Sequence, residues 1–156
     1  MDDKRLQEIV KEVVNSLTPA SINLKQARYL IQRVEEEAEK IGVNAVVAVA
    51  DSGGNTIAVE CMDNSYIASY DIAVNKAFTC VSLKMTTKKL STLAQPGQSL
   101  YGIQFTNNGR IVIFGGGVPL ISGDKVIGAV GVSGGTEEQD TYLGDFAEKV
   151  FKEEIL

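Results

Sequence analysis

The chain has 156 residues, 44% of them hydrophobic, with 15 Lys plus Arg against 20 Asp plus Glu and a net charge of −5. That length suits one domain, able to bury roughly 70% of its unfolded surface, and the acidic balance lacks the basic footprint that nucleic-acid binding requires. Histidine is absent, which excludes Ser-His-Asp and Cys-His nucleophilic sites, HExxH zinc sites and an imidazole ligand to haem.

In chain order, Leu6, Ile9, Val10, Val13, Val14 and Leu17 recur at the spacing of one helical stripe, with charged residues opposite. Residues 1–17 therefore read as a separate amphipathic helix, broken by Thr18-Pro19-Ala20-Ser21, before a single domain over 22–156. A second helix starts after Asn23 as N-cap and runs to Ile41, with Gly42 as its stop. Its buried face should be Ala27, Leu30, Ile31, Val34 and Ala38. Asn44–Ala50 and Asn55–Met62 read as strands joined by the turn Asp51-Ser52-Gly53-Gly54, and Asp51 and Asp63 as strand terminators. Ile67–Leu83 is helical, followed by a short helix capped by Thr86 or Thr87 and reaching Leu93. Ala94–Tyr101, with Pro96-Gly97, is loop.

Asn108-Gly109 then predicts a turn into a strand over Arg110–Phe114. Val118–Ser122 and Lys125–Ser133 pair through Gly123-Asp124. Thr136-x-x-Gln139 has capping-box spacing and opens a last helix to about Glu153 that buries Tyr142, Phe146, Ala147 and Val150. Tight turns between strands require antiparallel pairing. The expected fold is a three-layer α/β/α sandwich around a five-stranded antiparallel sheet.

Cys61 and Cys80 are the only cysteines and read as reduced thiols of a cytosolic protein. The opening Met1-Asp2-Asp3-Lys4 is unlike a signal peptide. No apolar run reaches the ~18 residues that span a bilayer, so no membrane partner is expected. Two cysteines are too few for a thiolate metal site. Glu137, Glu138 and Asp140 read as acids complementing a helix dipole, so no metal site is assigned.

Gly115 to Asp140 carries eight glycines, two short strands and an abrupt helix start. The spacing is neither a P-loop nor a dinucleotide fingerprint. One reading is a concave corner whose backbone N–H groups hold a flat or anionic ligand. The other is a bulged strand link that binds nothing. Tyr66, Tyr70 and Met62 form either a hydrophobic wall for a macrocycle or ordinary packing. Lys76, beside the apolar Ala73, Val74, Ala77 and Phe78, reads from its surroundings as a side chain that snorkels outward.

The order GG-x-P at Gly116, hairpin, Gly128-x-x-Gly131-Val132-Ser133-Gly134-Gly135 and Gln139-Asp140 resembles the GlcG/HbpS family. It is equally similar to the C-terminal domain of PduO-type cobalamin adenosyltransferases. Val49-Ala50-Asp51-Ser52-Gly53-Gly54, Met62-Asp63 and Ala73-Val74-Asn75-Lys76-Ala77 match further family motifs, so the resemblance runs from about Leu24 to Phe151. It implies a profilin-like or PAS-like, GlcG-like sheet. It also implies a ligand site of Lys76, Gly116, Gly117, Ser133, Gly134 and Asp140, with Lys76 facing the cleft to pair a ligand carboxylate.

The implied function is an oligomeric small-ligand-binding protein, dimer to octamer, that handles haem or a corrinoid without a histidine axial ligand. The adenosyltransferase domain of the PduO type is not in this sequence, so adenosylation of cobalamin is not expected. Two alternatives accompany that reading. One is an accessory cargo protein of a bacterial microcompartment for diol or cobalamin metabolism, its first seventeen residues contacting a shell protein and its location cytoplasmic or inside that compartment. The other is a small-metabolite enzyme linked to glycolate or diol use, with Lys76 and Asp140 at its site.

Overall fold

A computed structural model describes residues 2–156; Met1, the first residue of the expected N-terminal segment, lies outside the described residues. Helix α1 (Asp3–Leu17) is capped by the Asp2 carboxylate, which accepts from Lys4 N–H, and none of its residues is buried. Helix α2 (Leu24–Lys40) starts in a full capping box between Asn23 and Gln26 and buries the five residues its periodicity predicts. Strands β1 (Val46–Asp51) and β2 (Thr56–Cys61) form a hairpin. The Asp51 carboxylate closes their turn by accepting from the N–H groups of Gly53 and Asn55, as an Asx-turn does.

Helix α3 (Ile67–Leu83) and the short α4 (Thr87–Leu93), capped by Thr86, precede a long connection. Strands β3 (Gly117–Ser122) and β4 (Lys125–Ser133) make the second hairpin. Helix α5 (Glu137–Val150) opens in the Thr136–Gln139 capping box and widens into a final π-helical turn at Phe151–Ile155.

The sheet is antiparallel with four strands, ordered β2-β1-β4-β3. The fifth strand expected over Arg110–Phe114 does not form. Those residues lie along α3, where Thr79 Oγ1 takes Val112 N–H at 3.0 Å and donates its one proton to the Asn75 carbonyl at 2.7 Å, with the Arg110 carbonyl 3.3 Å away. The Arg110 guanidinium sits 3.6 Å from the Phe78 ring centroid. A buried threonine thus satisfies backbone that the apolar pattern assigned to a ladder.

Both faces of β1 are covered, as its unbroken apolar run implies. Val47 and Val49 join α2 and α5 in the main core, with Leu30, Val34, Leu143 and Ala147. Val46, Ala48 and Ala50 face α3 through Ala73 and Ala77. Small residues on this second side let α3 come close. A Cβ at Gly131 would fall onto the Ala73 carbonyl and 2.7 Å from Ala77 N, which is why a strand interior tolerates glycine here. On α5, Leu143 is buried where Tyr142 was expected. The tyrosine points outward and donates to Glu37 Oε1 at 2.6 Å, because a phenol that can reach a surface carboxylate keeps its hydroxyl solvated.

Candidate functional site

Because α3 lies so close to β4, Lys76 projects into the molecule and cannot snorkel. Its side chain is 0% exposed. The ammonium donates to the Val132 carbonyl at 2.7 Å and to Asp140 Oδ2 at 3.0 Å, and lies 5.1 Å from the Phe114 ring centroid. Asp140, in the first turn of α5, accepts Gly135 N–H on its other oxygen at 2.8 Å. The pair therefore ties α3, the end of β4 and the start of α5 to one point. Gly116 passes directly over it, with φ +120° and a position where a Cβ would lie 2.6 Å from Lys76 Nζ. Only glycine combines that backbone conformation with that clearance.

Burial pushes the Lys76 ammonium below its ordinary pKa, and the neighbouring Asp140 carboxylate works against that shift. Burial likewise pushes the Asp140 carboxyl up, opposed by Lys76 and by Gly135 N–H. Two desolvated charges that each lose their partner on single substitution make a pair whose breakage is costly. Glu137 is held below the usual carboxylate range by Gly115 N–H and by Lys88, whose ammonium lies 3.1 Å from Oε1.

Above the pair opens a cleft of about 380 Å³, within the usual range for small-molecule sites. Tyr66, Ile72 and Phe114 supply its apolar walls, and Ser69, Ser133, Glu137 and Asp140 its polar side, with Gly134 and Gly135 at the edge. Ser133 donates to Ser69 at 3.0 Å, and both are buried.

Of the six residues singled out from the sequence, Ser133, Gly134 and Asp140 line the cleft. Lys76 supports Asp140 by its ion pair, and Gly116 packs against that pair without lining the cleft. Gly117 faces away, packed on Cys80 and Thr87, and its N–H goes to Thr87 Oγ1. The corner's backbone donors are largely taken: Gly115, Gly117 and Gly135 N–H go to side chains, and Thr136 N–H to Gln139.

Sequence reasoning did not place Ser69 or Phe114 in a site. Ser69 was findable, since it precedes Lys76 by two helical turns and so shares its face. Phe114 carried no such signal, because it was assigned to a strand that does not exist. Met62 belongs to a separate hollow with Glu35, Glu39 and Cys61, and its sulfur accepts Ala45 N–H. Cys80 is buried, and its thiol is pushed up to about 12.

Against known proteins, residues 22–147 match the family described as "Haem degrading protein HbpS-like". The chain is 50% identical over 134 residues to an uncharacterized 15.0 kDa protein of the dhaT-dhaS intergenic region of Citrobacter freundii, covering 86% of this chain and 94% of that protein. It is 35% identical over 130 residues to the corrinoid adenosyltransferase PduO of Salmonella typhimurium, covering 83% of this chain but only 39% of that enzyme. Among solved structures, the PduOC:haem complex superposes with a TM-score of 0.79 at 32% identity, covering 83% of this chain and 94% of that one. With the family match spanning α2 to α5 and relatives of this similarity, the chain belongs to the HbpS-like family, which includes PduO- and GlcG-type proteins.

Proposed function

We propose that this chain is a small-ligand-binding protein whose ligand is a haem or corrinoid macrocycle, seated with one face in the cleft above Lys76 and Asp140. The observation that carries the reading is the apolar wall of Tyr66, Ile72 and Phe114, present in a chain related to a haem complex. Flat macrocycles bury large apolar faces, and aromatic walls suit them. The wall fits a macrocycle face, but the cleft offers no imidazole. Cys80 and Lys76 are buried and engaged, and Met62 lies elsewhere. Tyr66, largely exposed, is the phenol of the cleft lining that would be available to the iron of a bound haem. A haem bound here would lack a strong axial donor from the cleft lining, and Lys76 acts by fixing Asp140.

The test is an absorbance titration with hemin and with dicyanocobinamide. Saturable binding of either, with a broad Soret band for hemin that changes on Tyr66→Phe, supports the reading. No saturable binding of either macrocycle overturns it.

A second reading concerns α1. Its six apolar side chains are between 41% and 77% exposed, and the segment precedes the family match at residue 22. At ~1.5–3 kcal/mol each, covering them would supply on the order of 10 kcal/mol, while an uncovered helix of this length is marginal. The segment thus serves docking, on other copies of this chain or on a microcompartment shell protein. Removing Met1 to Leu17 and fusing that peptide to a fluorescent reporter separates the outcomes. Loss of oligomer mass supports self-docking, and co-purification of the reporter with shells supports targeting. An unchanged mass with a diffuse reporter overturns both.

A further inference from the structure

The hydrogen-bonding inventory of the cleft is lopsided. Every cation beside it is already committed to a carboxylate: Lys76 to Asp140 and Lys88 to Glu137. The backbone N–H groups at its glycine edge are spent as well, Gly115 on Glu137 and Gly135 on Asp140. What faces the space is acceptor capacity. Glu137 uses Oε1 for both of its donors, and its Oε2 has no protein partner among the described residues. Asp140 keeps lone pairs beyond its two bonds, and the Ser69–Ser133 hydroxyl pair can accept in addition.

A ligand rim bearing carboxylates would meet the Glu137 and Asp140 carboxylates and find few donors, the Ser69 hydroxyl and the remaining N–H groups of Lys88 among them, whereas a rim of N–H groups would find partners on one whole side. Charge of this kind discriminates by excluding the wrong ligand as much as by holding the right one.

We infer that the cleft selects a macrocycle with a neutral, carboxamide-bearing rim over one with carboxylates, with Glu137 as the specificity-determining residue. This inference rests on the macrocycle reading above but points away from the dicarboxylate member of that class. Corrinoids carry carboxamide side chains around the ring, and haem carries two propionates, so the two candidate ligands fall on opposite sides of the discrimination.

The experiment uses the full chain, which contains no Trp and five Tyr, so quenching of tyrosine emission reports binding beside Tyr66. Three probes are titrated: hemin, its bis-propionamide derivative, which differs only at the rim, and dicyanocobinamide. The diamide should bind about tenfold tighter than hemin. Glu137→Gln should narrow that ratio to about threefold or less by improving hemin binding. Glu137 is exposed at the rim, so its substitution leaves the buried Lys76–Asp140 pair intact.

Hemin binding as tightly as its diamide overturns the inference while leaving the macrocycle reading standing. A ratio unchanged by Glu137→Gln overturns the assignment to Glu137. Failure of all three probes to bind overturns the macrocycle reading and this inference with it.

Discussion

Helices α1 and α3 invert what their sequences advertise. α1 has a clean apolar stripe and buries nothing, whereas α3 has weak amphipathicity yet buries Ser69, Asn75, Lys76 and Thr79 alongside Ala73, Ala77 and Cys80. Periodicity reports that a helix has a face to cover; it does not report whether this chain supplies the cover. Conversely, a helix lying flat on a sheet needs small residues at the contact and tolerates polar ones if each is paired. Every polar side chain that α3 buries has a partner: Ser69 with Ser133, Asn75 with Arg110, Thr79 with neighbouring backbone, and Lys76 with Asp140.

The sharpest way to break that comparison is at Lys76. Lys76→Met strands a desolvated carboxylate and should cost about 3–5 kcal/mol, whereas Lys76→Met with Asp140→Leu should recover much of the loss, because replacing both members of a buried pair is often near neutral. Urea midpoints of the three proteins decide it. If the single substitution costs no more than an ordinary surface change, α3 is not organised around this pair.

The contact itself is tested at Gly131. An added methyl must displace α3 backbone, so Gly131→Ala should destabilise by about 1–3 kcal/mol. Because Gly131 is on β4 rather than in the cleft lining, ligand affinity should shift only as far as α3 moves. Thermal unfolding of the variant measures the first, and a titration the second.

These results would also explain why parts of the molecule were legible in the sequence and parts were not. The five buried positions of α2, the limits of α3 and the second hairpin follow local rules, namely helical spacing, caps and a two-residue turn. Arg110–Phe114 obeyed the local rule for a strand and failed because Thr79, 33 residues before Val112, claims its backbone. Lys76 looked like a surface lysine because the carboxylate that pairs with it is 64 residues away. Tyr142 and Leu143 are adjacent, and helical phase over so short a stripe cannot choose between them. The glycines of β4 and of the strand link answer to close approach of another group. For Gly131 that group is α3, and for Gly116 it is Lys76.

A smaller effect lies in the pH profile. The folded pKa of Asp140 is raised above its ordinary 3.8. Between those two values the native state binds more protons than the unfolded chain, and stability falls as pH rises. The folded pKa of Lys76 is lowered from 10.5. There the native state binds fewer protons, and stability rises with pH. The difference in unfolding free energy between wild type and the Lys76→Met, Asp140→Leu double variant should therefore be lowest on a central plateau and climb at both ends. Subtracting the double variant removes the exposed carboxylates common to both proteins. A difference that instead peaked in the middle would mean that the pair's mutual attraction outweighs its burial.

The smallest effect on folding should come from the helix with the clearest pattern. Since no side chain of α1 is buried against the domain, Val10→Asp together with Val13→Asp should change the unfolding free energy of a dilute, monomeric sample by no more than about 0.5 kcal/mol, the range of ordinary surface substitutions. The two valines lie on the same face, one helical turn apart, so the pair of charges interrupts the stripe at its centre without touching either cap. Any effect must then appear in association. If α1 docks on another copy, light scattering at micromolar concentration should show the assembly lost, and thermal stability should lose its dependence on protein concentration. If shell docking is its role, the mass stays unchanged and only the fused reporter is released. A monomeric domain strongly destabilised by these two charges would show that α1 packs on its own domain in solution, and the contrast between the two helices would disappear.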